Sequence, residues 1–252
     1  QAPAIEAGIS YIIRHLNHQC LFIDDPLFAI VIGASGRDRK YALKVTDWKD
    51  SELNRPGRRE PNYPIVYTIA HFQNAEALLR IGKALGDERL ARYGRYMMEA
   101  GIQTLWKDDH FVSAIDTDGV VDPPSSDSLQ ALLYIPPEIL PAGYAQKIER
   151  YSKQLETEAG YRAGIAVVED LDPYHTYVWT HLEALLNAAA RKHGLLEAES
   201  ITRKILPFII PKDDFFPEAI DPDSTYALSG NPKQLWAMGA YLYFQNPDGA
   251  LI

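Results

Sequence analysis

Between residues 65 and 85 the chain places Ile65, Ile69, Phe72 and Leu79 on one helical face, with Leu78, Ile81 and Leu85 beside them. Gly86 then suits the left-handed residue that ends a helix, and Asp87 suits the N-cap of the next. Leu90, Tyr93, Met97 and Ala100 stripe that second helix, which stops near Trp106. The pair predicts a tight αα-hairpin. A second hairpin is predicted downstream. There Leu182, Leu185 and Ala189 stripe a helix ending at Gly194, and Ile201, Ile205 and Phe208 stripe a partner that Pro211 stops. Leu235, Met238 and Leu242 predict a last helix opened by Pro232. Shorter helices are expected around residues 5–16, 128–135 and 144–155, and strands only at 28–32 and 165–168.

The segments after the two long hairpins resemble each other. Lys-Asp-Asp-His-Phe-Val-Ser-Ala-Ile-Asp-Thr-Asp at 107–118 aligns without a gap to Lys-Asp-Asp-Phe-Phe-Pro-Glu-Ala-Ile-Asp-Pro-Asp at 212–223, with eight of twelve positions identical. Hairpin plus loop is therefore a repeated unit, and stacked hairpins build toroids or solenoids. The expected class is all-α, an (α/α) toroid or barrel of αα-hairpins, in one domain spanning 1–252. The two loops are expected to follow the same backbone path.

Composition narrows the partners. A net charge of −9 leaves no basic field for nucleic acid or an anionic membrane. Hydrophobic residues at 46% are enough for a core, yet no run of about 18 apolar residues could span a bilayer. Cys20 is alone, so the chain holds no internal disulfide. Starting at Gln1 without a signal-peptide pattern, the sequence reads as a processed chain or a fragment, which leaves localisation open. His175 and His181 have no third ligand at metal spacing, and Gly33-Ala-Ser-Gly36 lacks the ending of a phosphate loop, so neither metal nor cofactor is expected.

The repeat separates scaffold from chemistry. Positions shared by both loops, such as Asp116 and Asp221, suit turns and caps. Glu218 differs: it stands where the first loop has Ser113, and Pro217 stiffens its approach. Alone it reads either as an exposed loop glutamate or as a carboxylate added to a shared frame. Asp47 and Asp50 flank Trp48, a pairing that suits sugars, because the indole packs on an apolar sugar face while the acid reaches an oxygen. The alternative is a helix cap beside a core tryptophan. Tyr177, Trp179 and His181 open the second long hairpin, and Gln234 and Trp236 begin the last helix.

Trp48-Lys49-Asp50, followed by a loop and a long helix, resembles the Trp-x-Asp segment that carries the general acid in glycogen-debranching-type glucosidase domains. Processing α-glucosidase I relatives carry a similar Trp-Asp-Asp-Ser segment. Val-Trp-Thr-His-Leu-Glu-Ala-Leu-Leu at 178–186 resembles the helix lining their active-site face. Phe216-Pro217-Glu218, followed by Asn-Pro-Lys-Gln-Leu-Trp-Ala at 231–237, resembles their closing Pro-Glu … Pro-Gln-Ala-Trp pattern, in which the Pro-Glu carries the catalytic base. In this order the motifs resemble the (α/α)6 six-hairpin glycosidases from Trp48 to Phe244.

The resemblance implies an exo-acting, inverting α-glycosidase with a carbohydrate substrate. Asp50 would be the general acid and Glu218 the general base. Trp48, Tyr177, Trp179, His181, Gln234 and Trp236 would bind the sugar. Lys49 stands where some relatives are acidic, which leaves Asp47 as the alternative acid. About eight or nine helices can be placed against the twelve of a full barrel, so the toroid is expected to lack N-terminal hairpins or to be abbreviated. That implies association with a missing N-terminal segment or another subunit. Two other functions fit the class: a non-catalytic sugar-binding or assembly subunit, and a sugar epimerase or lyase relying on His175 and His181.

Overall fold

A helix that buries one stripe needs a partner for it, and the long helices here find theirs in their chain neighbours. The computed structural model describes residues 2–25, 30–32, 38–40, 53–58, 60–209, 216–224, 227–229 and 234–245. Two units divide the chain, residues 1–122 and 123–252.

In the first unit, helix α1 (Ala2–Arg14) runs into a backbone hook and is followed by an antiparallel ribbon, β1 (Ile30–Ile32) with β2 (Asp38–Lys40). Strand β3 (Val66–Tyr67) leads directly into α2 (Thr68–Leu85), which is paired with α3 (Glu88–Leu105). The turn is the expected one: Gly86 sits at φ 68° and the Asp87 carboxylate accepts the Leu90 N–H at 3.0 Å. A small hairpin, β4 (Trp106–Lys107) and β5 (His110–Phe111), follows. Strand β6 (Ala114–Asp116) then lies between β3 and β7 (Gly119–Val121).

The α2–α3 contact is closer than the apolar stripes suggest. A Cβ at Gly94 would collide with the Leu79 backbone, and one at Gly82 with Ala91. The buried face of α3 is therefore Leu90, Gly94, Met97, Met98, Gly101, Ile102 and Leu105, while Tyr93 of the predicted stripe is 39% exposed. Glycines let the two backbones touch, and that rotates the helix away from its bulkiest stripe. Leu85, placed beside the α2 stripe, is likewise exposed at 63%.

The second unit holds two more hairpins. Helix α4 (Asp127–Tyr134) is joined to α5 (Tyr144–Ser152), and a 3-10 turn at residues 153–155 leads to β8 (Glu156–Thr157) and β9 (Gly160–Tyr161). Strand β10 (Val178–Trp179) enters α6 (Thr180–Lys192), which pairs with α7 (Leu196–Thr202) and, after a second 3-10 turn, the short α8 (Leu206–Ile209). Strands β11 (Ala219–Asp221) and β12 (Ala227–Ser229) precede α9 (Leu235–Gln245). Helix α6 packs on α4 on one side and α9 on the other. Residues 165–168, read as a strand, are irregular, with the Ile165 N–H donated to the Pro124 carbonyl at 2.9 Å.

The last helix also differs from its predicted face. Ala237, Ala240 and Phe244 are buried, the last two in a core shared with Val178, Ala184, Ile205 and Ile220, whereas Leu235, Met238 and Leu242 are exposed. Phe244 anchors the helix, and small alanines allow it close to α6. The fold is all-α and built of αα-hairpins, as the sequence pattern implies. Among the described residues, no helix is long and apolar enough to cross a membrane.

Candidate functional site

The α2–α3 and α4–α5 hairpins close in the same way. After the second helix the chain turns back, and an N–H returns to the last helical carbonyl: Val112 to Leu105 at 2.9 Å, and Arg162 to Leu155 at 3.0 Å. The next residue's carbonyl accepts the first N–H of the first helix. Thr68 donates to Ser113 at 3.0 Å, Ser126 to Ala163 at 3.0 Å, and Thr180 to Glu218 at 3.1 Å. Hydroxyls reinforce these junctions. Thr180 Oγ1 donates to the Pro217 carbonyl at 2.8 Å, Thr68 Oγ1 to that of Val112, and Ser126 Oγ to that of Ala163 at 3.2 Å.

Three hairpins thus share one hook position, occupied by Ser113, Ala163 and Glu218. Of these three only Glu218 is an acid, pinned at the N-terminus of α6; the hook after α1, where Ile23 donates to the His15 carbonyl at 2.8 Å, places Asp24 at the matching position. The flanking turns also correspond: Asp116 Oδ1 accepts the Asp118 N–H, and Asp221 Oδ1 the Asp223 N–H, each at 2.9 Å. These are the turn roles expected of Asp116 and Asp221. Residues 212–215 of the second loop lie outside the described residues; Ala219 and Ile220 pair with Trp179 and Val178 as Ala114 and Ile115 pair with Tyr67 and Val66, while the turn to the next strand is longer in the second loop.

Around Glu218 the structure gathers several of the predicted residues. Val178 pairs with Ile220 and Trp179 with Ala219, which sets Trp179 beside the Glu218 segment. The Trp179 and His181 rings meet edge to face at 5.7 Å. Burial pushes the His181 imidazole below its ordinary pKa, and the opposing pull of Glu218 does not restore it, so the ring is held neutral next to the carboxylate. Gln234 is drawn in through its N–H, donated to the Phe216 carbonyl at 3.3 Å. Tyr177 is half-buried, its carbonyl accepting the Ala163 N–H at 2.8 Å. Trp236, in the first turn of α9, is 62% exposed. His175 is buried. Asp47, Trp48 and Asp50 lie outside the described residues.

Sequence reasoning passed over two polar residues that build this frame. Thr180 is one. Glu183 is the other: fully buried, it accepts the Tyr161 N–H on Oε1 at 3.1 Å, while Oε2 has no hydrogen-bond partner among the described residues. Burial raises this carboxyl well above the usual carboxylate range, against the smaller effect of the Tyr161 N–H. In α2 the equivalent residue is His71, whose Nδ1 accepts the Phe22 N–H at 3.0 Å while Nε2 donates to the Met97 carbonyl at 2.8 Å. Burial lowers its pKa to about 4. A readable signal did exist: Val-Tyr-Thr-Ile-Ala-His at 66–71 and Val-Trp-Thr-His-Leu-Glu at 178–183 share the frame Val-aromatic-Thr-x-x-polar.

An open cleft of about 410 Å³, lined by Glu156, Thr157, Glu158, Arg162, Lys204 and Pro222, lies elsewhere on the hooks. Its cations are already engaged, Lys204 by Glu156 and Arg162 by Asp223. None of the predicted site residues lines it.

No protein-family model and no curated protein matches the sequence. Solved structures do match in fold. A GH63 mannosylglycerate hydrolase from Thermus thermophilus aligns with TM-score 0.59 at 12% identity, over 72% of this chain and 46% of its own. A structure described as a sialidase aligns with TM-score 0.62 at 13% identity, over 92% of this chain and 22% of its own. An α-amylase from Clostridium perfringens aligns with TM-score 0.53 at 13% identity, over 83% and 63%. The chain spans about half the length of the mannosylglycerate hydrolase. At such identities the likeness is one of fold alone: this chain shares the αα-hairpin architecture of these structures over part of their length.

Proposed function

We propose that this chain is part of a glycoside hydrolase, an exo-acting, inverting α-glycosidase in which Glu218 is the general base. The observation that carries the reading is the hook position. Of the three hairpins that use one backbone frame, only the α6 hairpin fills it with a carboxylate, and Glu218, unlike Asp24 in the hook after α1, stands beside Trp179 and His181. The indole suits the apolar face of a sugar. A neutral imidazole can donate to or accept from a hydroxyl without neutralising the base. Tyr177, Gln234 and Trp236 would extend the sugar-binding surface, and Trp48 would complete it.

Glu218 would take a proton from water as that water attacks the anomeric carbon. Asp50, or Asp47 in its place, would protonate the departing glycosidic oxygen from the opposite face. Inversion requires the two carboxyl groups to stand about 6.5–9.5 Å apart, leaving room for the water. The acid must hold its proton near neutral pH, which burial against Trp48 would favour.

The test is hydrolysis of a panel of α-linked glycosides, with the anomer released read by NMR. Glu218→Gln should slow every substrate by a factor of roughly 10²–10⁴, because all need an activated water. Asp50→Asn should spare glycosyl fluorides, which do not need protonation to leave. Full activity in Glu218→Gln, or a retained anomer, would overturn the assignment. A protein that binds these sugars without cleaving any is a binding subunit instead.

A further inference from the structure

An acid also stands at the start of α4. Thr68, Ser126 and Thr180 each give their N–H to a hook carbonyl, and the residues that follow them are Ile69, Asp127 and His181. In α6 that place brings the side chain beside Glu218. At the α4–α5 hairpin the hook residue is the small Ala163, and the carboxylate stands on the helix instead. The starts of α4 and α6 are tied together: the Ala163 carbonyl accepts the Ser126 N–H and hydroxyl, while the Ala163 N–H goes to the Tyr177 carbonyl at 2.8 Å, two residues before Trp179. The helices also pack on each other. The first turn of α4 therefore continues the group of Tyr177, Trp179, His181 and Glu218.

That turn is polar and yet buried. Ser125, Ser126, Asp127, Ser128 and Gln130 are each at most 4% exposed. Gln130 lies three residues after Asp127, on the same face of α4, and a long helical side chain leans back over the turn that precedes it. Its Oε1 is buried and has no hydrogen-bond partner among the described residues. Leaving a buried acceptor unpaired is destabilising, so an oxygen kept in that state calls for a donor from outside the chain.

We infer that Asp127 and Gln130 form a further sugar-binding subsite, one hairpin along from Glu218, in which the carboxylate and the amide oxygen accept hydrogen bonds from sugar hydroxyls. The inference rests on the glycosidase reading for the class of its ligand. Two acceptors one helical turn apart match a ring that offers several O–H donors. Among the described residues no group of three or more acids, histidines or cysteines is placed to hold a metal ion, so these oxygens suit hydroxyls rather than a cation. With so little surface, they would form the floor of the subsite, where a low dielectric strengthens each hydrogen bond. Asp127 binds here, and the roles proposed for Asp50 and Glu218 are unchanged.

The test is binding and hydrolysis of α-linked disaccharides of glucose, mannose and galactose, by calorimetry and initial rates. Gln130→Met keeps the shape of the side chain and removes an acceptor that the described residues leave unpaired. It should weaken binding of the best-bound disaccharide about five- to tenfold and raise KM with it, while kcat and the melting temperature hold. Asp127→Ala should weaken binding at least about tenfold, and Asp127→Asn, which keeps one acceptor, should lose less. Should Asp127→Ala unfold, as circular dichroism would report, Gln130→Met decides alone. Native affinity in Gln130→Met, or a fall in its melting temperature in place of a fall in affinity, would overturn the subsite. If Glu218→Gln still abolishes hydrolysis in that case, the glycosidase reading stands without it. A chain that binds none of these sugars overturns both. Weaker binding in both variants, with hydrolysis untouched by Glu218→Gln, would keep the subsite and remove only the general base.

Discussion

Replacing Glu183 with glutamine tests whether the clasp between hairpins is held by a protonated acid. The side chain is fully buried, and one oxygen is committed to the Tyr161 N–H. Glutamine keeps that acceptor and its shape but cannot ionise. Because the carboxyl is raised above its unfolded value, the folded chain binds more protons than the unfolded one in the interval between the two. The contribution of the native Glu183 is thus fully present below about pH 4.5 and is lost as pH rises toward the folded value. Across that interval the native protein should lose about 1.4 kcal/mol per pH unit relative to Glu183→Gln. A constant term opposes this. The new amide N–H₂ would sit where Oε2 has no partner among the described residues, at a cost of about 1–3 kcal/mol. The stability curves should therefore cross, with the native chain ahead in acid and the glutamine variant gaining steadily toward neutral pH. Urea unfolding followed by tryptophan fluorescence from about pH 4.5 upward to 8 reads this slope directly. A difference that stays flat with pH would refute the argument, since it would mean that Glu183 is ionised or solvated in the folded chain.

Gly94→Ala should destabilise the first unit by about 1–3 kcal/mol, because its Cβ would strike the Leu79 backbone, whereas Gly8→Ala, in open space, should gain about 0.5–1 kcal/mol; urea midpoints compare the two. His110 is a third case: burial alone would lower its pKa, but hydrogen bonds to Asp122 at 2.7 Å and Asp109 at 2.9 Å outweigh that and hold it above the ordinary value. Its contribution to stability is present below about pH 6.5 and fades as pH rises through the folded value, and Asp122→Asn should lower the ring's NMR titration midpoint. Finally, Trp179→Ala should weaken sugar binding by about 1–3 kcal/mol in calorimetry; a fall in melting temperature with binding unchanged would make it a core residue instead.

Much of this architecture was legible in the chain itself. Side-chain identity encodes turns and caps locally, so Gly86 and Asp87 marked the α2–α3 turn, and the repeat of 107–118 at 212–223 singled out Glu218. The hook of the α4–α5 hairpin could not be read that way. Residues 156–163 share almost nothing with the other loops, yet make the same bonds, because those bonds run between backbone groups that every residue carries.

Periodicity told which sides of the helices are apolar, but not which neighbour would cover them. The stripe of Tyr93 gave way to Gly94 and Gly101, because close backbone approach excludes side chains. The stripe of Leu235, Met238 and Leu242 is exposed, because Ala237, Ala240 and Phe244 fit α6 more closely. His71 and Glu183 were ordinary polar residues in the sequence. Only the fold buried them against the N–H groups of Phe22 and Tyr161, and that burial, which no local pattern carries, is what shifts the pKa of each toward its uncharged form.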